Sequence, residues 1–232
     1  MTGDTDVASG PLRRAAPETC LAACAALHER DGHTVVAHYG SVHGERAVCM
    51  KSVGLADRCD YGVFELRGDR ALLDRALVAR LGDPPLAVHS ARRLRSVWYL
   101  RLDARQVLLV GPHAALASGP AIGRGRDRSD LRHRDVGASL AIVAIVGPRA
   151  ARLLAAAGLP DELPIGAIGA GAGDPSIVAI LRERQRRYLA LVRADAADAF
   201  WARLLTAGEP LGAAFVGYDA LTLLNASEAA AG

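Results

Sequence analysis

The stretch Val53-Gly54-Leu55-Ala56-Asp57-Arg58-Cys59-Asp60-Tyr61-Gly62-Val63-Phe64-Glu65-Leu66-Arg67-Gly68 decides how the fold is read. A short helix, Glu45 to Val53, ends at Gly54, a tight turn follows, and Tyr61 to Arg67 form a strand. The strand runs into Gly68-Asp69, and Asp69 is the N-cap of a new helix with Leu72, Leu73, Ala76, Leu77 and Leu81 at helical spacing. Gly82 and the Pro84-Pro85 pair stop that helix. The pattern is a scaffold and carries no catalytic signature of its own.

Outward from it, residues 1–16 are small, polar and Pro/Gly-punctuated, which reads as a flexible tail. Pro17 to Arg30 reads as a helix closed by Gly32, and Thr34 to Tyr39 is rich in β-formers. Val97 to Leu102 and Gln106 to Val110 make a hairpin around Asp103-Ala104-Arg105. From Ser118 to Arg134 glycine, proline and arginine dominate without an apolar period, which marks a loop or lobe boundary. The rhythm then repeats. Leu140 to Val146 is a buried strand, Pro148 opens a helix with Leu153 and Leu154, and Leu163 to Pro175 is a loop. Ile177 to Leu181 and Tyr188 to Arg193 pair as a hairpin, Asp195 caps a helix, Ala213 to Val216 closes as a strand, and Tyr218 to Ala229 is a last helix. Strand, helix, hairpin, helix occurs twice. The fold class is therefore α+β, with two ferredoxin-like β-α-β-β lobes. They span about 33–117 and 135–229, joined by the loop 118–134, inside one domain covering 17–232.

About half of the 232 residues are hydrophobic, enough for one substantial core. A net charge of +3 makes the whole molecule a poor general polyanion binder, and Lys51 is the only lysine. The arginine excess reads as the bias of a GC-rich genome ahead of a set of anion clamps. Cys20, Cys24, Cys49 and Cys59 lack partners at zinc-finger spacing and read as buried thiols. His28, His33, His38 and His43 recur every five residues, which fits neither a helix face nor a strand face, so no metal is expected. Gly169 to Asp174 has no Lys-Ser/Thr behind it and reads as a surface loop, not a phosphate cradle. Acidic residues interrupt the arginine run from Arg124 to Arg134 and no aromatic sits nearby, so no nucleic acid is expected. The N-terminus has no apolar signal and Leu140 to Val146 is too short to span a bilayer, so the expectation is a cytoplasmic protein with no membrane partner.

His38-Tyr39-Gly40-Ser41, Glu45, Val53 to Asp57, Gly62 to Leu66 and Gly68 together resemble the N-terminal folate-binding domain of the glycine-cleavage T-protein (aminomethyltransferase) superfamily. Leu108 to Val110, Ala141 to Ala150 with Leu153-Leu154, and Phe200-Trp201 to Leu205 with Gly208 and Gly217 are similar to later family segments. The resemblance covers residues 34–225 and is nearest the short sarcosine oxidase gamma-subunit type, without the C-terminal β domain of full T-proteins. It implies tetrahydrofolate as the cofactor and larger flavoprotein-oxidase-type subunits as partners.

The resemblance also places the chemistry. The family's acidic pair before the first hairpin strand matches Arg95 and Ser96. Its pterin-gripping glutamate matches Gln185, with Glu183 two residues away, and its arginine-glutamate pair in the last helix matches Leu224-Asn225. These departures imply a scaffold that has lost its acidic groups and a non-catalytic subunit of an amine- or sarcosine-oxidase-type or one-carbon complex. The cofactor-binding residues are then Tyr39, Glu183, Gln185 and Tyr188, with no catalytic residue assigned. The alternative is a divergent tetrahydrofolate-dependent aminomethyl- or methyltransferase using Glu45, Glu65 or Glu183 near Tyr39; a third reading is a different small ligand in a vestigial pocket.

Overall fold

The computed structural model describes residues 25–117, 131–171 and 173–230. The tail 1–16, Cys20, Cys24 and the arginines from Arg124 to Arg128 lie outside them.

A hairpin of β1 (Ala26–Arg30) and β2 (His33–His38) comes first. Its two-residue turn is Asp31-Gly32, with φ of 50° and 76°. Such mirror-type turns match the twist of paired strands, and Asp-Gly is among the dipeptides that favour them. This corrects the helix read over Pro17 to Arg30: its last five residues are a strand, and Gly32 closes a hairpin. The helix α1 (Val42–Lys51) starts at Ser41, whose Oγ accepts the Gly44 N–H at 3.1 Å.

The stretch quoted at the outset then departs from its reading. Val53–Asp57 is a strand, β3, with four of its five residues buried. No alternation reveals it, because an interior strand covered on both faces is apolar throughout. Next come β4 (Tyr61–Arg67) and α2 (Arg70–Leu81). Asp69 caps α2 as read, its carboxylate accepting the Ala71 N–H, and Gly82 ends it at φ 80°.

A second unread strand, β5 (Ser90–Leu94), pairs with β6 (Val97–Arg101) around Arg95-Ser96, and β6 pairs with β7 (Gln106–Pro112) in the hairpin read from sequence. The short helix α3 (His113–Ala117) follows. Arg132–Asp135, read as loop, is an exposed edge strand, β8, paired with β4. Then follow β9 (Leu140–Val146), α4 (Ala150–Ala156), the two-residue β10 (Ile168–Gly169), β11 (Ile177–Arg184) and β12 (Arg187–Arg193). The chain continues through α5 (Ala197–Gly208), β13 (Ala213–Phe215) and α6 (Tyr218–Ala230). Asp195 does not cap α5; its carboxylate is paired with Arg193, and the helix starts from a short 3-10 turn.

Two sheets face each other. One has six strands in the order β10-β11-β12-β9-β3-β13, the other five in the order β5-β6-β7-β4-β8. Alternate residues of both fill the space between them: Ala144, Val146, Ala179, Leu181 and Leu189 from one, Val63, Leu100, Leu108 and Val110 from the other. The outer face of the six-stranded sheet packs on α4 and α5 through Leu55, Ile145, Tyr188, Leu153 and Trp201. The outer face of the five-stranded sheet packs on α2 through Leu66, Tyr99, Leu109, Leu73 and Leu77. Cys49 of α1 and Leu221 and Leu224 of α6 join the inter-sheet core at the β3 end. Each sheet is thus covered on its outer side by helix and on its inner side by the other sheet.

Candidate functional site

The chain passes from one sheet to the other through Arg58-Cys59-Asp60, between β3 and β4. This strap is fixed at both ends. Arg58 N–H donates to Ile142 of β9 at 2.9 Å, and the Asp60 carbonyl accepts from His113 N–H at 3.1 Å. Period-two alternation puts Ala56 on the inner face, and Arg58 continues it.

The Arg58 guanidinium grips Asp60 with two bonds, Nε to Oδ1 at 2.7 Å and Nη2 to Oδ2 at 2.8 Å, and lies 3.7 Å from the centre of the Tyr61 ring. Burial opposes the Arg58 charge. The Asp60 carboxylate outweighs it, with Tyr61 and Glu183 adding in the same sense, and the guanidinium pKa is raised. The Tyr61 phenol is also raised, first by burial and further by Glu183 and Asp60, against the lowering effect of Arg58.

Glu183 reaches the same place from β11. Its neighbours Ala179 and Leu181 belong to the inter-sheet core, and a register shift between Arg182 and Arg184 falls at this residue. Only 7% exposed, it accepts the Trp98 indole N–H on Oε1 at 2.7 Å across the seam. Among the described residues no hydrogen bond engages Oε2. The Arg93 guanidinium stands 5.9 Å from the Trp98 ring centre.

The four residues named from sequence do not converge. Glu183 alone lies in the seam. Gln185 is exposed in the turn between β11 and β12, its carbonyl accepting from Arg182 at 2.9 Å. Tyr188 is on the opposite face of the sheet, in the helix-side core, and donates its hydroxyl to the Asp161 carbonyl at 3.0 Å. The Tyr39 ring packs at 5.5 Å on Phe215 of β13. Gln185 and Tyr188 miss for separate reasons: Gln185 falls in the turn beyond the strand, and Tyr188 alternates with Leu189 and Leu191, which puts it on the helix side of β12.

Two further glutamates weighed as acids are structural. Glu45 accepts the Tyr39 N–H on Oε1 and the Gly217 N–H on Oε2, both at 2.7 Å, tying β2, α1 and α6 together. Glu65 takes Gln106 at 2.6 Å and Arg67 at 2.8 Å, with Arg134 at 3.6 Å. Arg95 occupies the β5–β6 turn at φ 55°, and Asn225 accepts from Arg187 at 2.5 Å.

The expectation that carboxylates have left the centre is therefore corrected. Asp60 and Glu183 both act on Arg58 and Tyr61. Asp60 is committed to a bidentate ion pair. Glu183 keeps one acceptor open beside an indole, a phenol and a guanidinium. Such a group accepts an N–H from a flat heteroaromatic ring. Sequence reading missed Arg58, Asp60 and Tyr61. The one available signal was their position in a strap between strands, and it was hidden by taking β3 for a turn. Among the described residues no group of three His, Cys, Asp or Glu is arranged to hold a metal ion, and no helix is long and apolar enough to cross a membrane. His33 and His113 stack at 3.7 Å, with an interplanar angle of 14°.

No family model matches the chain, and no curated protein matches its sequence. Solved structures match its fold. Glycine cleavage system aminomethyltransferase T from Bartonella henselae superposes with a TM-score of 0.69 at 20% identity, over 88% of this chain and 58% of that one. A chain of the heterotetrameric sarcosine oxidase from Corynebacterium sp. U-96 superposes with a TM-score of 0.53 at 19% identity, over 75% of this chain and 93% of that one. This chain therefore spans less than two thirds of the aminomethyltransferase and nearly the whole length of the sarcosine oxidase chain. It has the α+β fold that both share, which is the fold implied by the resemblance read from its residues.

Proposed function

We propose that this chain is a T-protein-like folate-binding-fold protein that holds a tetrahydrofolate-type pterin ring in the inter-sheet seam and acts as a non-catalytic subunit or accessory protein. The single observation that carries this reading is Glu183, buried between the sheets, fixed by Trp98 through one oxygen and open at the other. A pterin presents adjacent N–H donors on one edge, and a carboxylate accepts them with charge assistance. The sequence resemblance gave this task to Gln185, with Glu183 two residues away; the buried, Trp98-bonded position of Glu183 supports Glu183. The non-catalytic part rests on Asp60. A carboxylate held twice by Arg58 is poised to keep its charge, not to move a proton. The two ferredoxin-like lobes remain part of the proposal. So does the amine- or sarcosine-oxidase-type or one-carbon assembly, which the 93% coverage of the sarcosine oxidase chain supports.

A divergent tetrahydrofolate-dependent aminomethyl- or methyltransferase is the second reading. The presence of two carboxylates, Asp60 on Arg58 and Glu183 on Trp98, favours it.

Thermal unfolding with 5-formyltetrahydrofolate tests binding. Ligand at about 100 times its dissociation constant adds about 2.7 kcal/mol of stability. A stabilisation that Glu183→Gln abolishes supports the seam site, and no shift for the wild type at millimolar ligand overturns it. An aminomethyl-transfer assay on the same protein separates the two readings: turnover lost in Asp60→Asn establishes the enzyme.

A further inference from the structure

The two hairpin turns at one end of the seam concentrate positive charge. Ser90 to Ser96 contains Arg92, Arg93 and Arg95 and no acid; Arg182 to Arg187 contains four arginines and one acid, Glu183, which turns inward. These thirteen positions carry a net charge of +6, whereas the whole chain carries +3, so the remainder of the molecule is net negative.

The backbone brings the two segments side by side. Ser90 bridges Ala167, the Ala91 N–H donates to Gly166 at 2.6 Å, and the Gly166 N–H donates to Arg182 at 2.9 Å. Arg93 stands by the Trp98 ring, and the Trp98 indole is bonded to Glu183. Three of the arginines are bonded to main chain: Arg92 to the Gly82 and Pro84 carbonyls, Arg93 to the Arg95 carbonyl, and Arg182 to the Leu163 and Gln185 carbonyls. Arg93, Arg95, Arg184 and Arg186 are exposed. Ile165, next to Gly166 in this ladder, is 61% exposed, and Val88, next to His89, is 40% exposed.

We propose that this face, with exposed Arg93, Arg95, Arg184, Arg186 and Ile165, docks an acidic segment of a partner protein. Three observations choose protein over nucleic acid. An exposed isoleucine on the same face as several arginines is the composition of protein interfaces. The aromatics of the β5–β6 hairpin, Trp98 and Tyr99, are buried, which removes the stacking platform a single strand uses. The net negative remainder repels a long polyanion but tolerates a short acidic segment. The surface is independent of whether a pterin occupies the seam.

The test is fluorescence anisotropy of a labelled α-linked acidic peptide, alternating Glu-Asp pairs with Leu, titrated with the full chain. Binding that weakens about fivefold in Arg95→Ser/Arg186→Ser and in Ile165→Ser, but not in the distant control Arg105→Ser/Arg152→Ser, establishes the surface. All five positions are exposed, so each variant keeps its fold. Equal weakening by the control pair overturns the proposal, as does absence of binding at low ionic strength. Tighter, Arg95- and Arg186-dependent binding of a single-stranded oligonucleotide replaces it with a nucleic-acid surface.

Discussion

Glu45 and Glu183 are equally buried, each 7% exposed, and they do opposite things. Around Glu45 every acceptor is used. One oxygen takes Tyr39 N–H and the other Gly217 N–H, so the carboxylate is the clasp of β2, α1 and α6. Across the seam, Glu183 uses one oxygen on an indole and leaves the other open. Burial therefore does not distinguish a structural carboxylate from a binding one. What distinguishes them is whether the local backbone has consumed the acceptor capacity.

The sharpest way to break the comparison is to remove both carboxylates separately. Glu45→Ala removes the acceptor of the buried Gly217 N–H and of the part-buried Tyr39 N–H, at about 1–3 kcal/mol for a buried group, and the fold should lose about 2–4 kcal/mol by denaturant unfolding. Glu183→Gln keeps an acceptor for the indole and should change stability by less than about 1 kcal/mol while abolishing the folate-induced shift. Equal stability losses would mean that Glu183 is also structural.

Trp98→Phe sharpens the same contrast from the other side of the seam. It keeps most of the ring's packing but removes the N–H that fixes Glu183, a bond to a charged group worth about 1.5–3 kcal/mol. Ligand affinity should fall with it, because Glu183 then holds no single orientation. Unchanged affinity for 5-formyltetrahydrofolate would show that the indole serves only the core.

How much of this was legible beforehand follows from the same physics. Amphipathic elements announced themselves: α2 through Asp69, its apolar stripe and Gly82, and the β6–β7 hairpin through its flanking strands. What did not was apolar on all sides or polar on all sides. Val53–Asp57 is interior to a sheet and has no alternation to read; Arg132–Asp135 is an exposed edge with no apolar face. The site was half visible for a related reason. Glu183 was named, and it follows Ala179 and Leu181 on the inner face, whereas Gln185 falls in the β11–β12 turn and Tyr188 alternates onto the helix side of β12. Arg58 and Asp60 became meaningful only when the strap was seen to cross between sheets.

The smallest expected effect concerns thiols that border the two regions. Burial pushes Cys49 up to about 11, with Arg187 lowering and Glu45 raising it, and burial pushes Cys59 up to about 12, with Asp57 and Asp60 adding. Cys49 sits on the Glu45 side and Cys59 in the strap beside Arg58. Both hold their protons in the folded state above the ordinary thiol range, whereas the unfolded chain releases them near the ordinary thiol value of 9.0. The unfolded state then binds fewer protons, so stability falls as pH rises through that window and is unaffected by these groups below it. The melting temperature should hold from about pH 7 to about pH 8.5 and decline above. Cys59→Ala should flatten the decline on the strap side and Cys49→Ala on the clasp side. If neither substitution changes the alkaline slope, the loss belongs to the Tyr61 and Tyr188 phenols, which burial also raises, and a tyrosinate absorbance titration assigns it between the seam and the helix-side core.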